Sequence, residues 1–339
     1  MHDPFHIINK PADWATHDRE HLPGKRQALA ASAPIADERN LDISAERFRP
    51  SQELLNAINA ALAARVPLLL TGEPGTGKTQ VAWFIKRFFQ VPLFAYQVHS
   101  NSQASDMRYD FDAVAYLRDA YLARHGGEIS GESPAWQAPT KPTASAGDHS
   151  PDPRAQKRYL KPGALWNAYE CDSECVLLID EIDKAPRDFP NDLLQELDQN
   201  RFEHPFHKGD YVVRKGAPPI IIVTSNGERR LPDAFLRRCM VHHIALNKEL
   251  LVEIMQAWQS QFPRLDEATR KAALKRFNDI REINRLSKKP GAAELLLWLS
   301  VLSAQGVKVE KLADTVALKE LPALMCLIKD HADYVHLGG

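Results

Sequence analysis

Residues 72–79 read Gly-Glu-Pro-Gly-Thr-Gly-Lys-Thr, placing glycines, a lysine and a hydroxyl at the spacing that lets a backbone wrap around an anion. Glycine allows the main chain to turn its N–H groups inward, and a helix that follows adds the partial positive charge of its N-terminus. In this reading Gly72, Glu73, Pro74, Gly75, Thr76 and Gly77 form a cradle for phosphates. Lys78 reaches the β- and γ-phosphates, and the Thr79 hydroxyl ligates Mg²⁺. A Gly-rich turn that happens to precede a helix is the purely structural alternative. The Lys-Thr pair at the required positions and the flanking pattern weigh against it.

Three further groups are placed to act on whatever the loop holds. Asp180 and Glu181 follow directly on the apolar run 175–179. Asp180 would hold Mg²⁺ through water beside Thr79, and Glu181 would be the general base that polarises an attacking water. Taken alone, the pair could equally be an acidic cap for the next helix. Asn226 closes the run 219–224 and could orient the water, although an Asn before Gly227 is also an ordinary turn former. Arg237 and Arg238 end a short helical stretch, Pro232 to Leu236. They read either as surface charges near a helix C-terminus or as an arginine finger for a neighbouring subunit's γ-phosphate.

These residues need a frame. Val66-Pro67-Leu68-Leu69-Leu70 precedes the loop as a strand, and Val81, Phe84, Ile85 and Phe88 follow at helical spacing. Ser51 is a plausible N-cap for an earlier helix bearing Leu54, Leu55, Ile58, Ala61 and Leu62. Residues 92–98 read as a second strand, 112–124 as a helix, and 175–179 and 219–224 as buried parallel strands. The segment 202–213 reads as a hairpin around Lys208-Gly209-Asp210. Strands alternating with helices predict an α/β fold, a parallel sheet sandwiched by helices. After Ile244 the pattern is helical throughout, with candidate helices at 268–277, 292–302 and 321–328. The expected organisation is an extended arm over 1–48, a nucleotide-binding core over 49–246 with a Pro-rich insertion at about 126–160, and a helical lid domain over 247–339.

Composition sets the outer bounds. The chain has 339 residues and a net charge of −1, so no global basic character argues for nucleic acid or an anionic membrane. No apolar stretch reaches the roughly 18–20 residues that span a bilayer, and the N-terminus lacks a signal-peptide pattern. Cys171, Cys175, Cys239 and Cys326 lack a zinc-type spacing and read as reduced structural thiols of a cytoplasmic protein. The pairs His204/His207 and His242/His243 read as surface or packing histidines.

The phrases 70–79, Leu178-Ile179-Asp180-Glu181-Ile182-Asp183-Lys184-Ala185-Pro186, Thr224–Asn226 and Leu231-Pro232-Asp233-Ala234-Phe235-Leu236-Arg237-Arg238 occur in the order and spacing of an AAA+ ATPase. The chain resembles the MoxR-type branch over roughly residues 49–305. The resemblance implies Mg²⁺-dependent ATP hydrolysis with ATP and Mg²⁺ as cofactors, a P-loop AAA+ core and a helical lid. Asn226 matches the first sensor and Arg238 the finger, with Arg237 second. It also implies a homo-oligomeric ring, usually a hexamer, and a chaperone-like role that remodels, matures or activates a separate protein partner, often one with a von Willebrand A-type domain. The segments 100–125 and 202–213 resemble places where this branch carries pore- or partner-facing loops. The second-sensor arginine is missing: Gly291 stands at its position, with Lys288 or Lys289 as possible substitutes, although a lysine lacks the guanidinium fork. Two other readings remain at this stage, a DNA-directed NTPase motor or restriction subunit of McrB type and a slow nucleotide-gated scaffold in bacterial defence. The near-neutral charge weighs against the first, and an intact Glu181 against a dead enzyme.

Overall fold

A computed structural model of the chain describes residues 41–124, 159–205, 207 and 209–337. In chain order the elements are α1 (Leu41–Arg47), α2 (Gln52–Ala64), β1 (Leu68–Thr71), α3 (Lys78–Phe89), β2 (Leu93–Gln97), α4 (Ala104–Arg108), β3 (Tyr109–Phe111), α5 (Ala113–Arg124), β4 (Leu160–Pro162), α6 (Ala164–Glu170) and β5 (Val176–Asp180). There follow α7 (Phe189–Gln199), β6 (Arg201–Glu203), β7 (Tyr211–Val213), β8 (Ile220–Ser225), α8 (Asp233–Leu236) and β9 (Met240–His243). The C-terminal part holds α9 (Lys248–Ala257), α10 (Glu267–Arg281), α11 (Ala292–Gln305) and α12 (His331–His336).

Five strands form one parallel sheet in the order β2-β5-β8-β1-β9. β1 and β2 are consecutive strands of this sheet yet lie apart, with β5 and β8 between them. That arrangement opens a crevice at the carboxyl ends of the strands, where ligands of such sheets bind. The central strands are apolar up to their carboxyl ends, where Thr71, Asp180, Thr224 and Ser225 stand, because both faces are covered. Leu69, Leu177, Ile179 and Val223 enter one core with Tyr169, Phe189 and Leu193. Leu68, Leu70, Val176, Leu178 and Ile222 enter the other with Leu54, Val81 and Ile85. The two-residue side-chain period thus divides each strand between two layers.

Register sets the level of the site. Gln97 pairs with Asp180, Leu70 with Thr224 and Thr71 with Ser225, so the ends of four strands finish side by side. Ser51 caps α2 as expected, its Oγ accepting from Leu54 N at 3.2 Å. The hairpin forms from β6 and β7. The C-terminal helices, where the sequence suggests a lid, have their own core, in which Phe262, Phe277, Leu295, Trp298, Leu299 and Leu302 are fully buried.

Some expectations change. Residues 41–47 form a helix, although the segment through 48 reads as an arm with little structure; it packs against α3 through Lys86–Asp42 and Arg87–Glu46 ion pairs, both at 2.6 Å. The stretch 321–328 is not a helix but a single 3-10 turn, Leu324–Cys326, after Ala323 at φ 53°. The apolar side of α5 faces outward, with Val114, Leu117 and Tyr121 exposed. Residues 1–40, most of the Pro-rich insertion, and Gly338-Gly339 lie outside the described residues. Among the described residues no helix is long and apolar enough to cross a membrane, and no group of three or more His, Cys, Asp or Glu side chains could hold a metal ion.

Candidate nucleotide site

The loop 72–77 joins β1 to α3, and its glycines take positive φ values that favour glycine. Gly72, Gly75 and Gly77 have φ of 148°, 77° and 87°. A Cβ on Gly72 would lie 2.5 Å from Ile244 O. Thr76 Oγ1 donates to Glu73 O at 2.9 Å and closes the turn. The N-terminus of the twelve-residue α3 opens directly from Gly77, so its unpaired N–H groups and dipole face the loop.

Lys78 is buried at 5 % exposure. Its Nζ donates to Gly72 O and Glu73 O, both at 2.8 Å. Burial lowers its pKa from the usual lysine value, against the opposing pull of Asp183, Asp180, Glu181 and Glu73. An ammonium held in this way gains most from an anion that replaces lost hydration.

Thr79 Oγ1 donates to Asp180 Oδ1 at 2.9 Å, which joins the loop to the end of β5. Glu181 has φ 59°, a left-handed conformation rare for a side chain of this kind. The turn separates two neighbours: Asp180 meets Thr79 and Thr224, while Glu181 meets other partners. Glu181 Oε2 accepts from Lys184 Nζ at 2.6 Å and Gln97 Nε2 at 2.5 Å, and Oε1 accepts from Asn226 Nδ2 at 3.1 Å. Asn226 N in turn donates to Asp183 Oδ2 at 3.1 Å.

The fold therefore brings Lys78, Thr79, Asp180, Glu181 and Asn226, each singled out from the sequence, to one place. Thr224 and Asp183, not singled out from the sequence, join them. Thr224 Oγ1 donates to Asp180 Oδ1 at 2.6 Å and accepts from Glu181 N at 2.8 Å. Asp183 is 2 % exposed and accepts from the backbone of both Asn226 and Glu228. The only signal for Thr224 was its position at the end of an apolar strand, and for Asp183 a carboxylate within an otherwise helix-like phrase.

Arg237 and Arg238 lie away from this cluster, both exposed at the end of α8. Arg238 Nε pairs with Asp198 Oδ2 at 2.9 Å. Phe235, fully buried, anchors the short helix that carries them; its truncation would cost about 3–5 kcal/mol.

A cavity of about 320 Å³ runs from the loop to the lid, lined by Lys78, Thr79, Glu181, Thr224 and Asn226 at one end and by Leu250, Ile254, Trp258 and Leu296 at the other. This size suits a small ligand with an apolar and a polar half. Lys288 and Lys289 are exposed and do not line it. The lid meets the loop instead through Gly291 and Ala293: a Cβ on Gly291 would lie 2.6 Å from Pro74 O. Arg281 adds an ion pair with Glu73 at 2.9 Å. A larger cavity, about 660 Å³, lies between α4, α7 and the β6–β7 hairpin and includes Arg108 and Glu196, but no phosphate-loop residue.

A five-stranded parallel sheet between helical layers, with a glycine-lysine loop feeding a helix at its carboxyl edge, defines a P-loop nucleotide-binding protein. Residues 67–239 match the family model described as the AAA domain of the dynein-related subfamily, which takes in just over half of the chain. The protein belongs to that family. No curated protein matches the chain. Among solved structures it is similar to NtrX from Brucella abortus in complex with ADP, at 15% identity and a TM-score of 0.45, over 90% of this chain and 61% of that one. The chain thus spans about three fifths of the length of NtrX. It is also similar to a Thermotoga maritima RuvB variant, at 15% identity and a TM-score of 0.37, over 76% of this chain and 70% of that one.

Proposed function

We propose that the protein is an ATP hydrolase whose cycle drives the remodelling or activation of a protein partner. The observation that carries this reading is the continuous hydrogen-bonded chain Thr79–Asp180–Thr224–Glu181–Asn226 beside the buried Lys78. Hydrolysis needs a carboxylate to take a proton from water, a polar group to hold that water, and a cation on the γ-phosphate. Glu181, Asn226 and Lys78 supply these in turn. Water oxygen attacks the γ-phosphorus, the bond to the β–γ bridging oxygen breaks, the proton passes to Glu181, and ADP leaves.

The oxygen donors of Thr79 and Asp180, 2.9 Å apart, suit a hard cation that keeps water and phosphate oxygens for its other ligands. These two residues would hold Mg²⁺, which when bound neutralises charge on the β- and γ-oxygens. Lys78 then compensates what remains, and its partial desolvation strengthens that contact.

The resemblance to MoxR-type proteins supports the rest: a ring, usually hexameric, in which Arg238 reaches a neighbour's site, a cytoplasmic setting, and a client protein with a von Willebrand A-type fold. Both arginines are exposed and anchored by a buried phenylalanine, which suits a contact made outside the subunit.

Phosphate release measured with Lys78→Ala and Glu181→Gln tests the reading. The first should lose nucleotide binding and the second should bind ATP yet hydrolyse it at least about a hundredfold more slowly. Normal turnover in Glu181→Gln would exclude it as the base. Affinity capture with Glu181→Gln held in ATP should retain a protein; retention of DNA instead would move the assignment to a DNA-directed motor.

A further inference from the structure

The phosphate end of the 320 Å³ cavity is accounted for by the loop and its acids; elsewhere its lining is largely apolar, with Ser44, Gln80 and two arginines, and one of those arginines carries a buried donor with nothing to meet it. That arginine is Arg47, at the last position of α1. Its guanidinium carbon lies over the indole of Trp258, 4.8 Å from the ring centroid. Its Nη1 is buried and has no hydrogen-bond partner. Arg49, two residues on and also lining the cavity, is different: its Nη1 donates to Glu46 O at 3.0 Å and Phe48 O at 3.1 Å.

We propose that Arg47 is the residue that recognises the purine ring of the bound nucleotide, a reading that rests on the nucleotide assignment above. A guanidinium has only donors to offer. A buried donor without an acceptor is costly, and that cost is removed by a ligand that brings one. The cavity sides near it are flat or apolar, formed by Phe48, Leu250, Ile254, Trp258 and Leu296. A group that fits must therefore be planar and largely apolar, and carry an acceptor on its edge. Both classes of nucleobase carry an edge acceptor, but the bicyclic purine offers the larger flat face to these apolar walls and presents N7 on its edge in adenine and guanine alike.

The position of α1 makes this recognition part of the phosphate site rather than an addition to it. Asp42 and Glu46 pair with Lys86 and Arg87 of α3 at 2.6 Å, and Gln80 Nε2 donates to Ser44 Oγ. The helix that begins with Lys78 and Thr79 thus carries α1 along its flank, which ties the position of Arg47 to that of the phosphate loop. Trp258 comes from the opposite wall, at the end of α9, so the Arg47–Trp258 contact bridges the core to the lid. No arginine of the lid lines the cavity among the described residues, and the one unpaired cationic donor in it comes from the N-terminal side.

Calorimetric titration of the full chain with ATP, CTP and inorganic tripolyphosphate, each with Mg²⁺, separates base from phosphate recognition. Wild-type protein should prefer ATP to CTP by about tenfold or more. Arg47→Ala should weaken ATP binding by a similar factor and leave tripolyphosphate affinity within about twofold. Arg47→Lys keeps a charge beside Trp258 but not the fork, and should show the same split with less disturbance to packing. Unchanged ATP affinity in both variants would overturn the proposal. So would equal losses for ATP and tripolyphosphate, which would make Arg47 a phosphate cation. Failure of the wild-type protein to bind ATP at all would instead overturn the nucleotide reading itself, and Lys78→Ala, which should lose ATP and tripolyphosphate together, marks that case.

Discussion

Thr224 donates to Asp180 through a 2.6 Å hydrogen bond across two adjacent strands, and the same hydroxyl accepts from Glu181 N at 2.8 Å. One side chain therefore fixes both acids, orienting the Asp180 carboxylate toward Thr79 and holding the backbone that turns Glu181 out of the strand. Glu181 sits at φ 59°, a conformation that costs about 1–2 kcal/mol and persists only when its surroundings enforce it.

Thr224→Val keeps the shape and removes both bonds. It should lower stability by about 1–3 kcal/mol and reduce turnover about 10–100-fold, with a smaller change in ATP affinity. Denaturant melts and steady-state phosphate release read the two effects separately. Wild-type turnover in a folded Thr224→Val protein would show that Glu181 is positioned without it.

Asp183 is buried and accepts from Asn226 N and Glu228 N at 3.1 and 2.9 Å. Asp183→Asn keeps one acceptor oxygen, introduces an amide against two donors and removes a charge that favours protonated Lys78. The expected result is about 1–3 kcal/mol less stability and slower hydrolysis, because the turn bearing Asn226 loses its anchor. Equal stability of the two proteins in urea would contradict this.

Glu196 gives the molecule a pH dependence. Burial pushes its carboxyl up to about 7, an effect that Arg108 opposes and Asp192 reinforces. Between the ordinary carboxylate range and 7 the folded state binds the proton that the unfolded state has released. Stability from this group is therefore present in acid and lost as pH rises toward 7. Thermal melts from pH 5 to 8 should show the decline, and Glu196→Gln should flatten it. A mutant with the same slope as wild type would assign the dependence elsewhere.

Arg238 and Asp198 form a half-exposed pair, with side chains 48% and 51% accessible, worth at most about 1 kcal/mol. Arg238→Ala should thus melt close to wild type. In the ring proposed above its turnover should fall about 10³-fold. Adding the mutant to wild-type subunits should depress activity beyond simple dilution; strictly proportional dilution would refute a shared site.

What could be read from the sequence was local in the chain. The loop at 72–79 carries its strand before it and its helix after it, and Asp180-Glu181 ends a run whose apolar character announces a buried strand. Thr224 and Asp183 could not be read in this way, because each acts on a partner more than 40 residues away and is defined by strand register. Gln97 reaches Glu181 for the same reason, since its pairing with Asp180 exists only in the sheet. The helix at 41–47 escaped notice because seven residues are too few for a period to emerge, and its ion pairs with α3 lie outside its own sequence. The stretch 321–328 misled in the opposite sense: its leucines face the lid core without a continuous helix to carry them.

Gly291 presses against the carbonyl of Pro74 with room for nothing larger than hydrogen. Lid and loop consequently touch main chain to main chain at this point, and a displacement of the loop is passed on as a push rather than as an attraction. Ionic strength does not screen such a push. Of the junction described, only the Arg281–Glu73 pair would respond to added salt, so a lid that moves with the loop should do so in brine as it does in dilute buffer.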